Sequence, residues 1–141
     1  MSKRPRVNVE DLMSTALLSM REGDRVSVAL REMTLASVRH LPVVDAKGAI
    51  LGLVSSTDLV AAVGRKEDPE LREVMTRDVH TVTPDTPAEK AVALMLDQKF
   101  NAVPVVGKGG EVVGIVTATD FLVVAYQALT GAPIGREPDE R

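Results

Sequence analysis

The chain contains no cysteine, which excludes a disulfide framework and a thiolate metal site and fits a reducing compartment. Its aromatic rings are Phe100, Phe121 and Tyr126 alone. A platform that stacks successive nucleic-acid bases on aromatic side chains is therefore ruled out, and the core has to be aliphatic, built from Val, Leu, Ala, Ile and Met. Charge of one sign is also scarce. The 17 basic and 20 acidic residues are spread along the chain and leave a net charge of -3, without the basic stripe that a nucleic acid or an anionic membrane requires. No apolar run approaches the roughly 18 residues of a membrane span, and residues 1–10 hold no signal-peptide-like stretch. The expected location is the cytoplasm, with neither nucleic acid nor membrane as a partner.

Enzyme motifs are missing as well. There is no phosphate loop ending in Gly-Lys-Ser/Thr, no His-Glu-x-x-His and no Gly-x-Ser-x-Gly. The run Gly107-Lys108-Gly109-Gly110 lacks the third glycine of a dinucleotide loop and joins two predicted strands, where such a loop needs a strand-to-helix turn. His40 and His80 fall in unrelated positions and the acidic residues show no ligand spacing, so neither a metal nor a catalytic residue is expected.

What is present is a duplication. Gly52-Leu53-Val54-Ser55-Ser56-Thr57-Asp58 returns as Gly114-Ile115-Val116-Thr117-Ala118-Thr119-Asp120 at an offset of 62 residues, and the offset holds without a gap from Met13/Met75 onward. At 141 residues, 45% apolar and 26% charged, the chain suits a compact soluble fold with a real core.

Within each copy the order of elements is legible. Val26, Ala29, Leu30, Met33 and Ser37 fall at helical spacing behind Asp24, a suitable N-cap. In the second copy Thr86-Pro87-Ala88-Glu89 reads as a capping box with proline at the first helical position, ahead of an apolar face of Ala88, Ala91, Val92, Met95 and Leu96. Leu41-Pro42-Val43-Val44 and Val103-Pro104-Val105-Val106 each lead through a glycine-bearing turn into a second β-branched run, which predicts two hairpins. Each proline lacks the N–H of a ladder bond, so it is expected at a strand start or on an edge. Second helices are predicted over 57–63 and 119–129, and short leading strands near 17–20 and 79–82. The expected bounds are a loose leader at 1–8, a first repeat at 9–65, a second at 66–129 and a disordered tail at 130–141. Two such units sharing sheet faces would close one common core with approximate two-fold symmetry.

This order of elements, the Leu-Pro-Val-Val and Val-Pro-Val-Val strands and the twin Gly-x-x-Ser/Thr-x-x-Asp motifs resemble a pair of CBS domains, the cystathionine β-synthase-type repeat, from about residue 9 to 128. The resemblance implies an α+β fold of two tandem repeats, each β-α-β-β-α, packed as a pseudo-two-fold pair. It also implies a ligand in the cleft between the repeats.

The motif has its own chemistry. Gly52 and Gly114, without a Cβ, let a backbone or a ligand approach the strand closely. Ser55, Thr57 and Asp58, like Thr117, Thr119 and Asp120, surround a predicted helix N-terminus, where hydroxyls, free amides and the helix dipole suit an anion. An ionised aspartate accepts only, so it suits a ribose diol. The same Ser55-x-x-Asp58 and Thr117-x-x-Asp120 spacing also matches a capping box that binds nothing. By the resemblance, the aspartate contacts ribose, the hydroxyls contact ribose or phosphate, Arg39 and His40 reach phosphates, and Met20 and Val82 wall the base. Asn101 and Ala102 stand at the places matching Arg39 and His40, so unequal half-sites are expected.

The reading is a stand-alone, non-catalytic regulatory module with no required cofactor. It senses an adenosine-containing molecule, AMP, ADP, ATP or S-adenosylmethionine, and shifts the population of a homodimer or of a complex with an unidentified regulated protein. The homodimer follows from the resemblance and from the apolar run 121–126. The alternative is an interaction scaffold whose motif residues only cap helices.

Overall fold

The structure, a computed structural model, describes residues 6–15, 17–65 and 67–131. Of the expected leader and tail, residues 1–5 and 132–141 lie outside the described residues. Contacts divide the chain into two units. The first-repeat unit comprises the described residues of Ala16–His80 together with Lys108–Val112, and the second-repeat unit those of Met1–Thr15, Thr81–Gly107 and Val113–Arg141.

The first-repeat unit holds α1 (Val26–Ala36), β1 (His40–Val44), β2 (Ile50–Ser55), α2 (Ser56–Val63) and a 3-10 turn at Leu71–Glu73. The second-repeat unit holds a 3-10 turn at Val9–Asp11, then α3 (Ala88–Gln98), β3 (Ala102–Val106), β4 (Val112–Thr117) from its second residue on, and α4 (Ala118–Thr130). The leading segment of each repeat thus packs in the other unit: Val9 and Leu12 are buried with the second repeat, Leu71 and Met75 with the first. Residues 7 and 8, expected in a loose leader, are tied down, because the carbonyl of Val7 accepts the Ala88 amide at 2.8 Å and Asn8 forms a bridge with Pro87.

Buried apolar residues form two clusters, one per unit, where the sequence predicts one common core. The fully buried side chains are aliphatic, Met33, Leu41, Leu59 and Leu71 being the largest, and burial of each contributes roughly 1.5–3 kcal/mol. On α3, Ala88, Ala91 and Met95 are buried as the pattern requires, whereas Leu96 is 75% exposed and lies off the packed stripe.

Helix ends depart from local expectation. The N-cap of α1 is Arg25, because the Asp24 carboxylate instead accepts the Arg21 amide at 2.8 Å. The cap comes from across the unit: Asp68 Oδ1 accepts the Ser27 amide at 3.0 Å, and Ser27 Oγ donates to Asp68 Oδ2. Pro87 is the N-cap of α3, and Thr86 Oγ1 accepts the Thr83 amide at 3.0 Å, so no capping box forms there. Ser37, read as a helical position, and its counterpart Lys99 end α1 and α3 in the left-handed conformation, with φ of 57° and 59°.

β1 and β2 form an antiparallel hairpin with His40 opposite Ser55 and Pro42 opposite Leu53. Its turn is closed by Asp45, whose Oδ1 accepts the amides of Lys47 at 2.8 Å and Ala49 at 3.0 Å. Those two bonds hold the Asp45 carboxyl below its ordinary range. β3 and β4 form the second two-stranded sheet. Pro42 is neither at a strand start nor on a free edge: β2 lies on one side and Met20 on the other. Its carbonyl accepts the Met20 amide at 3.2 Å, and Met20's carbonyl accepts the Val44 amide at 2.9 Å. Continuing that parallel ladder by one step requires an N–H at position 42, which proline lacks. The expected leading strand is accordingly reduced to a single bridge, and Val82 makes the same lone parallel bridge to Val105.

Candidate functional site

Each motif sits where a buried strand runs directly into a helix, β2 into α2 and β4 into α4. The glycine in each strand makes room for backbone. An added Cβ on Gly52 would lie 2.6 Å from Met75 Sδ and 3.0 Å from the Thr76 carbonyl oxygen; on Gly114 it would lie 2.6 Å from Met13 Sδ and 3.1 Å from the Ser14 carbonyl oxygen. The neighbouring chains are bonded in both directions: Leu53 and Thr76 exchange two bonds of 2.9 Å, and Ser14 and Ile115 exchange bonds of 2.9 and 3.0 Å. The close approach that Gly52 and Gly114 permit is therefore by backbone and by Met75 and Met13, the methionines read from the sequence as a matched pair.

Beyond the glycine, the polar residues fold back on the helix start. Ser55 Oγ accepts the Asp58 amide at 3.1 Å, while Asp58 Oδ2 accepts the Ser55 amide at 3.3 Å. In the second-repeat unit, Asp120 Oδ2 accepts from the Thr117 amide at 2.7 Å and from Thr117 Oγ1 at 3.2 Å. Both motifs thus cap their helices. Capping does not use all of Asp58, because Oδ1 accepts no hydrogen bond from the described residues and the side chain is exposed. A carboxylate has about four acceptor sites, so one oxygen can hold the cap while the other accepts from a diol.

The free amides expected at the helix start are mostly taken. The Ser56 amide donates to the Arg39 carbonyl at 2.8 Å and the Asp58 amide to Ser55 Oγ. That leaves the amide of exposed Thr57 for an outside acceptor. The matching bond in the second-repeat unit runs from the Ala118 amide to the Asn101 carbonyl at 2.9 Å, and Thr119 is exposed at the equivalent place.

These bonds gather Arg39, His40, Ser55, Thr57 and Asp58 at one end of the β1–β2 hairpin. Arg39 is exposed and forms no ion pair among the described residues. His40 is half-buried at the start of β1. Burial lowers its pKa from the ordinary value; the Asp58 carboxylate opposes that shift and the Arg39 guanidinium reinforces it. Met20 pairs with Val43, three residues along β1 from His40, which sets it roughly 10 Å from the cluster along the strand. Val82 is 9% exposed and packed into the core of the second-repeat unit.

Among the described residues no group of His, Asp and Glu is placed to hold a metal ion, and no helix is long and apolar enough to cross a membrane.

The CBS domain family matches this chain twice, over residues 9–65 and 71–126. A homoserine O-acetyltransferase of Methanohalobium evestigatum is 37% identical over 113 residues, covering 80% of this chain and 23% of that protein. The chain therefore spans about a quarter of the length of that relative. Among solved structures, the CBS domain pair of protein MJ0100, in complex with 5′-methylthioadenosine and S-adenosyl-L-methionine, aligns with a TM-score of 0.82 at 28% identity over 88% of this chain and 99% of that one. CBSX2 in complex with AMP aligns with a TM-score of 0.76, also at 28% identity, over 86% of this chain and 98% of that one. The α+β architecture, the twice-occurring strand-to-helix motif and these matches agree, and the chain belongs to the CBS domain family as a tandem pair.

Proposed function

We propose that the chain is a regulatory module that binds an adenosine-containing molecule, AMP, ADP, ATP or S-adenosylmethionine, and carries out no chemistry on it. The repeats are taken as 9–65 and 66–129, and Asp58 and Asp120 as the ribose-binding groups. The observation that carries the reading is the Asp58 carboxylate, which holds the α2 cap through one oxygen and leaves the other open at an exposed helix start beside Arg39 and His40. The two relatives above, whose structures hold methylthioadenosine with S-adenosylmethionine and AMP, support the ligand class. Ser55, Thr57, Thr117 and Thr119 supply hydroxyls to ribose or phosphate, and Arg39 and His40 supply positive charge. Gly52, Gly114, Met20 and Val82 shape the strands that carry these groups.

Occupancy acts by linkage: a ligand that prefers one arrangement of the protein or its complex shifts that population, with no cofactor needed. The helices that follow each motif expose apolar side chains, among them Val60 and Val63 on α2 and Leu122, Tyr126 and Leu129 on α4. Such faces favour association into a homodimer, and a regulated protein is the second class of partner.

One observation favours a second reading. The reciprocal bonds of Ser55 with Asp58 complete a capping box at the start of α2, as expected of a scaffold whose motifs only cap helices. Calorimetry against a panel of adenine compounds separates the two. A ligand at 100 times its dissociation constant adds about 2.7 kcal/mol and raises the midpoint by roughly 5–11 °C. A shift for one compound that is lost in Asp58→Ala or Asp120→Ala supports sensing, and no shift across the panel supports the scaffold.

A further inference from the structure

Sulfur covers the motif glycine in both units, and the two sulfur-bearing residues differ in exposure. An added Cβ on Gly114 would meet Met13 Sδ at 2.6 Å, and one on Gly52 would meet Met75 Sδ at the same distance, so each thioether rests against the bare glycine of its strand. Met33, Met75 and Met95 are buried. Met13 is half-buried against the second-repeat core. Met20 is the other half-buried methionine among the described residues, and it packs against the first-repeat core. With no cysteine in the chain, methionine supplies its only oxidisable sulfur.

We infer that Met13 is an oxidation switch confined to the second-repeat unit: a peroxide converts its thioether to the sulfoxide, and the leading segment at residues 9–14 then loosens from β4. In that step the peroxide O–O bond breaks and one oxygen forms a bond to Sδ. The sulfur gives up two electrons, and the peroxide leaves as water or an alcohol. A thiol-dependent methionine sulfoxide reductase reverses the change, with two electrons from its thiols and the oxygen leaving as water. Exposure sets the order of attack, so Met13 reacts ahead of its buried counterpart Met75.

The contact with β4 has no place for the added oxygen. A sulfoxide is a strong acceptor, yet the backbone amides beside it are spent, because Ser14 and Ile115 donate to each other's carbonyls at 2.9 and 3.0 Å. The Ser14 carbonyl oxygen, 3.1 Å from where a Gly114 Cβ would lie, repels a second acceptor. The oxidised side chain therefore turns to solvent, where water bonds it. Gly114 has no side chain to fill the space left behind, so the dispersion contacts of Met13 with β4 are lost. That loss reaches the neighbouring bonds: the Met13 amide donates to the Val9 carbonyl at 2.8 Å and the next amide, of Ser14, donates to Ile115. In the first-repeat unit the equivalent bonds join Leu53 and Thr76, and buried Met75 keeps them.

The test is amide hydrogen exchange on the full chain after graded treatment with hydrogen peroxide, with the oxidation of each methionine followed by peptide mass. Met13 is expected to oxidise roughly fivefold or more faster than Met75. Exchange of the Ser14 and Ile115 amides is expected to quicken roughly tenfold or more in step with it, while Leu53 and Thr76 keep their native rates. Treatment with a methionine sulfoxide reductase and dithiothreitol should restore the native pattern. Met13→Leu should remove the response to peroxide and Met20→Leu should retain it, whereas Met13→Gln, polar without any oxidant, should show the fast exchange from the outset. The native chain carries the mapping, so the result stands even where a variant fails to fold. Complete oxidation of Met13 with unchanged exchange at Ser14 and Ile115 overturns the switch, as does equal reactivity of Met13 and Met75. Fast exchange that persists after reduction overturns it too, as the mark of damage.

Discussion

Gly52→Ala isolates what the motif glycine does. The new methyl carbon would lie 2.6 Å from Met75 Sδ, 2.8 Å from its Cγ and 3.0 Å from the Thr76 carbonyl oxygen. Met75 cannot swing away freely, because it is only 9% exposed and belongs to the first-repeat core. The Thr76 oxygen is held as well, accepting the Leu53 amide at 2.9 Å. Overpacking of this kind costs about 1–3 kcal/mol, against a gain of roughly 0.4–1 kcal/mol from the stiffer unfolded chain. The net expectation is a loss of about 1–2 kcal/mol, or a midpoint lowered by roughly 2–8 °C, read by calorimetry and by urea unfolding with an unchanged slope. Gly114→Ala meets Met13 at the same 2.6 Å, but Met13 is half-buried and its Cγ lies farther away, at 3.1 Å. Its cost should be smaller. Met75→Ala in the Gly52→Ala background should return part of the loss as a measurable coupling. A Gly52→Ala protein as stable as the native one, with weaker nucleotide binding, would refute the packing account and assign the glycine to the ligand.

Four further expectations are open to simple measurement. Ser55→Ala removes the α2 N-cap oxygen and should cost about 0.5–2 kcal/mol by denaturant unfolding, whether or not ligand is present. Burial holds the His40 pKa down in the folded state, so the unfolded chain takes up the proton first as pH falls; stability is intact above about 6.5 and declines below it, and His40→Gln should flatten the midpoint over that interval. The bond from Ser27 Oγ lowers the Asp68 pKa, so Asp68→Asn should lower the midpoint near neutral pH, and the difference from native should vanish as pH falls through and below the usual carboxylate range. Leu122→Asp places a charge on the exposed face of α4, where the native leucine is 68% exposed; it should leave stability unchanged and shift sedimentation toward the monomer, and an unshifted assembly would remove α4 from the interface.

Much of this molecule is written locally. The 62-residue offset, the two hairpins and the strand-to-helix junctions at Ser55 and Thr117 follow from apolar periodicity, turn residues and capping chemistry, all of which act over a few neighbouring positions. The cluster around Asp58 was legible for the same reason: a strand ending at Ser55 and a helix starting at Ser56 place those side chains together whatever surrounds them. The identity of each candidate site residue was likewise open to inspection, including the contrast of Arg39 and His40 with Asn101 and Ala102.

Tertiary structure decided where the chain path returned. Asp68 caps α1 from 41 residues away, and nothing local to either segment announces the pairing. Met75 fills the space over Gly52, while Met13 fills that over Gly114, because the leading segment of each repeat packs in the other unit. The amides at the start of α2 looked open, yet the Arg39 carbonyl had already taken the first. Leu96 has the spacing of a core residue and points to solvent, since periodicity defines an apolar stripe but not how much of its width a neighbour covers. Sequence alone therefore determined the repeat, its elements and the chemistry available at each motif, because those rest on short-range backbone preferences. Which amides, oxygens and apolar faces remain free for a ligand or partner was set only by long-range packing, which depends on where distant segments come to rest.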